Sequence, residues 1–132
     1  DDKPVKLRGL LLSQTSEVGD AAEEGLRITI MRFQTPTSGS GGSAVTPRAM
    51  DSADSAAGVA AECANTTVAT DAGTTQTIAE LAWNIRQSPY EMWFPEDRFS
   101  PKAKQGEALI VRQQTTAADD YSGCFTFWLE EE

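Results

Sequence analysis

Few residues in this chain could perform acid–base or nucleophilic chemistry. The 132 residues contain no histidine, which excludes Ser-His-Asp and Cys-His arrangements within the chain. Carboxylates occur as Glu23-Glu24, Asp119-Asp120 and Glu130-Glu131-Glu132. Paired carboxylates can hydrolyse glycosides, but these lie in turn-rich or terminal stretches, where charged residues are usually solvated. We therefore predict no catalytic residues and no enzymatic activity.

The sequence also gives little indication of a metal-binding site. Asp51, Asp54, Asp119 and Asp120 could offer oxygen ligands, but no Asp-x-Asp-x-Asp-Gly calcium loop is present. The run Asp51-Ser52-Ala53-Asp54 is more typical of a helix cap. A structural zinc site usually needs four Cys or His ligands, and the chain has two cysteines. The sequence predicts neither a metal nor a cofactor.

A glycine-rich segment has the Gly-x-Gly spacing found in phosphate-binding loops. It reads Ser38-Gly39-Ser40-Gly41-Gly42, but no Gly-Lys-Ser/Thr follows and no clear helix begins after it. It lies within residues 35–47, where Gly and Ser favour conformational freedom and Pro removes backbone donors. We predict a flexible surface loop rather than a phosphate site.

An aromatic group lies just before Pro95 and consists of Tyr90, Trp93 and Phe94, with Phe99 a few residues on. If exposed, it could stack on sugars or form a protein interface. Packing in the core or between subunits is favoured, because large aromatic residues are highly buried on average. Trp83 and Trp128 are predicted to be core residues.

The two cysteines, Cys63 and Cys124, both lie in strand-like segments. They could form one disulfide or remain free thiols, and the sequence leaves both alternatives open.

The net charge of −9, from 20 acidic and 11 basic residues, argues against nucleic acid as a partner. No run approaches the roughly 20 apolar residues that a membrane-spanning helix requires.

The elements that would position these residues are short strands. Residues 26–33 alternate with a period of two, so that Leu26, Ile28 and Ile30 share one face. Further strands are predicted at residues 5–12, 75–84, 90–94, 107–113 and 124–129. Residues 49–58 are the best helix candidate. The pattern predicts one all-β domain over residues 1–132, an antiparallel β-sandwich or jelly roll of seven or eight strands. In it, residues 35–47 form a surface loop that crosses between strands.

Several loop motifs resemble those of a family of small structural proteins of tailed-bacteriophage virions. The resemblance is carried by the glycine-rich segment with the following Ser43-Ala44-Val45-Thr46-Pro47-Arg48-Ala49, by Asp54-Ser55-Ala56-Ala57-Gly58, and by Asn65-Thr66-Thr67. Gly106-Glu107-Ala108-Leu109 and the acidic β-strand at the end are similar too. The resemblance extends from about Val5 to Glu131.

The resemblance implies a non-enzymatic component of the virion, with a capsid decoration (cement) protein as the favoured role. Its implied partners are the major capsid protein or other virion proteins, and further copies of itself, with a trimer favoured. The candidate interface residues are Ser38, Gly39, Ser40, Gly41, Gly42, Tyr90, Trp93 and Phe94. The alternatives are a phage tail, neck or fibre component, and a carbohydrate-binding module or adhesin that uses the Trp93 region.

Overall fold

The computed structural model describes residues 3–16, 25–87, 89–114 and 121–132. In these residues there are eleven β-strands, two 3-10 turns and no α-helix. The strands are β1 (Val5–Gln14), β2 (Gly25–Phe33), β3 (Pro36–Thr37), β4 (Ser43–Val45), β5 (Ala61–Cys63), β6 (Thr70–Asp71), β7 (Gln76–Asn84), β8 (Tyr90–Trp93), β9 (Lys102–Ala103), β10 (Ala108–Gln113) and β11 (Gly123–Glu131). The 3-10 turns span Ile85–Gln87 and Asp97–Phe99.

Two antiparallel sheets form the body of the protein. The first, sheet A, has the order β11-β1-β8, with β9 also paired to β1. The second, sheet B, has the order β10-β2-β7. All of these pairs are antiparallel. The predicted all-β, antiparallel class is thus confirmed, and the arrangement is β-sandwich-like.

The core lies between the two sheets. Its buried members come from β1, β2, β7 and the turn after β7, and they are Leu7, Leu10, Leu12, Leu26, Ile28, Ile30, Leu81, Trp83 and Ile85. In β2, alternation places Leu26, Ile28 and Ile30 inward, each at most 1% exposed, as the pattern predicts. Burying aliphatic side chains of this size contributes about 1.5–3 kcal/mol each to folding.

A β-bulge sets which face of β1 meets the core. The register against β11 shifts between Leu7 and Gly9, so that Arg8 is the extra residue. The three leucines Leu7, Leu10 and Leu12 then share the inner face, although strict alternation would not group them. Leu11 lies on the other face and is half-buried. The bulge is a feature that periodicity alone does not predict.

The helix predicted for residues 49–58 is wrong. Asp51 instead caps a single turn, in which its Oδ1 accepts a hydrogen bond from the Ala53 backbone N–H at 2.9 Å. The Asp54 N–H donates to the Asp51 carbonyl at 3.1 Å. The segment has few large apolar residues, so a helix there would gain little from packing, and most helical stability in proteins comes from packing.

Candidate functional site

The glycine-rich segment forms one leg of a two-stranded arm that joins β2 to β7. At the base of the arm, β3 pairs with β6. Further out, Ser40 bridges Thr67 and β4 pairs with β5. Strands β2 and β7 are neighbours in sheet B. The predicted crossover between strands is therefore an outgoing leg, and residues 61–71 form the returning leg. We call residues 34–75 the arm.

Close approach of the two legs explains the glycines. A Cβ on Gly39 or Gly42 would lie closer than 3.0 Å to the Asn65 side chain and to a backbone carbonyl of the returning leg. A Cβ on Gly41 would collide with the Thr66 hydroxyl, and Gly41 has φ +79°, a conformation that glycine adopts without steric cost. The glycine-rich composition, which is typical of a linker, is needed here because the two legs lie too close together for larger side chains at Gly39, Gly41 and Gly42.

The Asn65-Thr66-Thr67 motif supplies the opposing surface of the arm. Asn65 is half-buried, and its Nδ2 donates to Glu62 Oε2 at 3.1 Å. Thr67 exchanges two backbone hydrogen bonds of 3.0 Å with Ser40. The glycine-rich segment and the Asn65-Thr66-Thr67 motif are therefore hydrogen-bonded to each other in the arm.

Asp71 fastens the base of the arm. Its carboxylate accepts hydrogen bonds from the backbone N–H groups of Gln34 (3.1 Å), Thr35 (2.8 Å) and Gly73 (2.9 Å) and from the Thr75 hydroxyl (3.3 Å). Desolvation by burial would by itself raise the pKa of Asp71. The four hydrogen bonds outweigh that effect and hold its pKa below the usual value of 3.8.

The arm presents apolar side chains to solvent while it is held against the body. Val45 is 44% exposed, Met50 89% and Val68 52%. The Gly58 N–H donates to Glu131 Oε1 at 2.7 Å, and an Arg112 nitrogen donates to the Ala69 carbonyl at 2.6 Å. The arm is therefore held against the body while it exposes three apolar side chains.

The aromatic group on β8 divides between two faces. Tyr90 and Phe94 are half-buried and pack against the core with Met92. Trp93 lies on the outer face and is 49% exposed. Of the three predicted interface aromatics, Trp93 is therefore the one that presents a large exposed surface.

Trp128 is placed differently from its prediction. On β11, Phe125, Phe127 and Leu129 pair with the inward leucines of β1, so the alternation puts Trp128 on the outer face. There its ring lies 4.5 Å from that of Trp93, at an interplanar angle of 35°. Both tryptophans flank Gly9 in the ladder. Trp83, in contrast, is 1% exposed, as predicted for a core residue.

Gly9 makes room for this aromatic pair. A Cβ at this position would lie closer than 3.0 Å to carbons of the Trp93 ring. The Trp93 indole N–H donates to the Glu91 carboxylate, which fixes the orientation of the ring. The result is an aromatic pair on the outer face of sheet A, with Trp93 exposed and Trp128 half-buried, which we call the Trp93–Trp128 platform.

A cluster of ion pairs borders the platform. Lys6, whose side chain is 6% exposed, pairs with Asp97 at 2.5 Å and also with Glu132. The hydrogen bonds to these carboxylates raise the pKa of Lys6 above its usual value, against the opposing effect of burial. Arg8 pairs with Glu130 at 3.3 Å, and Lys102 pairs with Glu132. The predicted solvated charges Glu130 and Glu132 thus hold the end of β11 in place.

The described residues include the two cysteines and part of the acidic residues considered in the sequence. Cys63 and Cys124 are both free and exposed, so the possible disulfide between them is not formed. Glu23-Glu24 and Asp119-Asp120 lie outside the described residues. In the described part of the chain, no three His, Cys, Asp or Glu residues are grouped so that they could hold a metal. No helix there is long and apolar enough to cross a membrane.

No protein-family model, curated protein sequence or solved structure matches this chain.

Proposed function

We propose that this protein is a non-enzymatic virion component that binds the surface of a phage capsid through its arm, as a capsid decoration protein. The observation that carries the proposal is the arm itself, which is fastened at Asp71 and exposes Val45, Met50 and Val68. The arm also contains three of the motifs that resemble tailed-phage structural proteins, in residues 38–49, 54–58 and 65–67. A fixed, exposed apolar surface binds a partner with a smaller loss of conformational entropy than a disordered loop would.

The test measures binding of the purified protein to capsids that lack it. Electron microscopy of the mixture is expected to reveal added density at regular capsid sites. Replacing Val45, Met50 and Val68 by Glu should weaken binding at least tenfold, because each change puts a charge into the contact. The control Phe99→Glu alters a residue that is 60% exposed outside the arm and should bind normally. Absence of density with the unaltered protein would rule out decoration.

A tail, neck or fibre role is the alternative within the same class. It predicts that the arm binds purified tails rather than capsids, with the same loss in the three-Glu variant. The resemblance further implies a homo-oligomer, with a trimer favoured. The strand pattern of the sequence, in turn, predicts a jelly roll of seven or eight strands in one domain. An experimental structure of the assembled protein would test both.

The Trp93–Trp128 platform supports a second candidate function, carbohydrate binding. Exposed tryptophan rings can stack on sugar faces, and the Glu91 carboxylate beside Trp93 could accept hydrogen bonds from hydroxyl groups. Binding on a glycan array that disappears in Trp93→Ala and persists in Phe99→Ala would favour this function. An array without any binding would exclude it for the glycans present.

A further inference from the structure

Strand β11 is an edge strand with one side unpaired in the described residues. It pairs with β1 along its whole length, from Gly123 to Glu131. The Ser122 carbonyl accepts from Thr15, and the Glu132 N–H donates to Pro4. The even-numbered residues between them therefore direct their backbone groups toward β1. Because the direction alternates along an antiparallel strand, the odd-numbered residues 123–131 direct theirs away from it.

The same residues carry exposed apolar side chains. Phe125 is 42% exposed, Phe127 39% and Leu129 40%, although all three pair with buried leucines of β1. Their outer sides are uncovered because they lie at the edge of the sheet. Natural edge strands are usually protected by Pro, by a bulge or by an inward-pointing charge. Residues 123–129 contain none of these, since the bulge belongs to β1.

The carboxylates at the end of β11 are already engaged. Glu130 pairs with Arg8, and Glu131 accepts a hydrogen bond from Gly58. Glu132 pairs with two lysines. Because these carboxylates already have partners, a partner protein at this edge does not need basic residues to neutralise them. In the described residues, what has no partner at this edge is its outward backbone groups and the outer sides of its alternate apolar side chains.

We propose that β11 pairs antiparallel with β11 of a second copy, centred on Phe127, and that the free protein is a two-fold dimer. In this register Phe127 meets its own counterpart, and Phe125 lies opposite Leu129 of the second copy. The apolar spacing is symmetric about Phe127, so apolar residues meet apolar residues on both sides. Side chains of directly opposed residues share one face, so the uncovered sides of both cores close against each other.

Charge favours this direction of pairing. A parallel arrangement would bring the two Glu130-Glu131-Glu132 runs together. The antiparallel arrangement places Glu131 opposite Gly123 and separates the two Glu131 positions by about 27 Å, at 3.4 Å per residue. That distance exceeds the Debye length of about 8 Å at physiological salt. The pairing is isologous and closes at two copies, unlike the trimer that the resemblance implies.

Oxidative cross-linking tests the register directly. The register places Cys124 opposite Glu130 of the second copy, in a pair without hydrogen bonds, where Cα atoms are about 4.5 Å apart and a disulfide can form. In a Cys63→Ser background, Glu130→Cys should yield a covalent dimer on mild oxidation. Cys63→Ser alone should remain uncross-linked, as should Cys63→Ser/Cys124→Ser/Glu130→Cys. A covalent dimer in either control, or none in the test variant, would overturn the register.

Sedimentation of the unaltered protein tests the association itself. A dimer mass is expected, and Phe127→Lys should weaken self-association at least tenfold because it places a charge in the middle of the edge. Phe99→Lys is the control with unchanged mass, and circular dichroism checks that both variants remain folded. A strict monomer at high concentration, or a trimer, would overturn the proposal. The proposal does not rest on capsid binding, so each can fail without the other.

Discussion

Replacing Gly9 by alanine adds one methyl group at a position where the Trp93 ring leaves no room for it. The added Cβ in Gly9→Ala would overlap the Trp93 ring, so the ring must shift from its position beside Gly9. We expect a loss of about 1–3 kcal/mol in the free energy of unfolding, the usual cost of overpacking. We also expect a change in the near-ultraviolet circular dichroism of the tryptophan pair.

Gly25 provides the matched control for this change. It is also a glycine in a strand, but a Cβ there would have nothing within 4 Å. Gly25→Ala should alter the unfolding free energy by no more than about 0.5 kcal/mol and leave the tryptophan signal unchanged. Equal effects of the two substitutions would contradict the close contact between Gly9 and Trp93.

Lys6 gives the protein a stability contribution that depends on pH. Its pKa in the folded protein is raised above the ordinary 10.5. The contribution is therefore fully present below pH 10.5 and is lost as the pH rises through the folded pKa. The difference in urea midpoint between the unaltered protein and Lys6→Met should be constant near pH 8 to 9 and shrink above pH 10.5. Lys104→Met, which removes a lysine charge at an exposed position, is the control for the general effect of this substitution.

At the scale of elements, the arm should respond to acid before the body does. The pKa of Asp71 is lowered in the folded protein. Its stabilising contribution is therefore present above the unfolded value of 3.8 and is lost as the pH falls through the folded pKa. The protection factors of the Thr35 and Gly73 amides in hydrogen exchange should fall as the pH is lowered below 3.8, while the amide of Ile28 in β2 stays protected.

Asp71→Asn tests the same contact without acid. The amide keeps an acceptor oxygen but lacks the charge that strengthens hydrogen bonds from backbone N–H groups. The variant should open the base of the arm at neutral pH, with faster exchange at Thr35 and Gly73. Unchanged exchange in the variant would contradict the role given to Asp71. Asp54→Asn, a change on the outer loop of the arm, should leave exchange at the base unaffected.

The long strands could be predicted because alternation is a local signal. Residues 26–33 match β2 to within one residue, and residues 75–84 match β7 equally well. The arm could not be predicted, since its legs pair residues that are 16 to 35 positions apart in the sequence and glycine-rich sequence alone is equally typical of linkers. The core position predicted for Trp128 rests on the average burial of tryptophan, whereas strand alternation places Trp128 on the face opposite Phe127 and Leu129. The bulge at Arg8 could not be predicted, because the pattern of apolar residues in β1 does not show where the register shifts.

At the scale of the whole molecule, both sheets depend on one core. Leu10 of sheet A and Ile28 of sheet B belong to the same buried cluster. A cavity made in one sheet should therefore destabilise the other equally. Leu10 is fully buried, so Leu10→Ala should cost about 2–5 kcal/mol in the free energy of unfolding.

The tryptophans allow this coupling to be measured one sheet at a time. Trp83→Phe leaves the two tryptophans of sheet A as reporters, whereas Trp93→Phe with Trp128→Phe leaves Trp83 in sheet B. In each background, Leu10→Ala should lower the urea midpoint by the same amount, because a two-state domain loses both sheets in one transition. A sheet A signal that melts first would mean that the sheets fold separately. Ile78→Ala, at a residue 38% exposed, should produce a smaller shift in both, since less of its surface leaves water on folding.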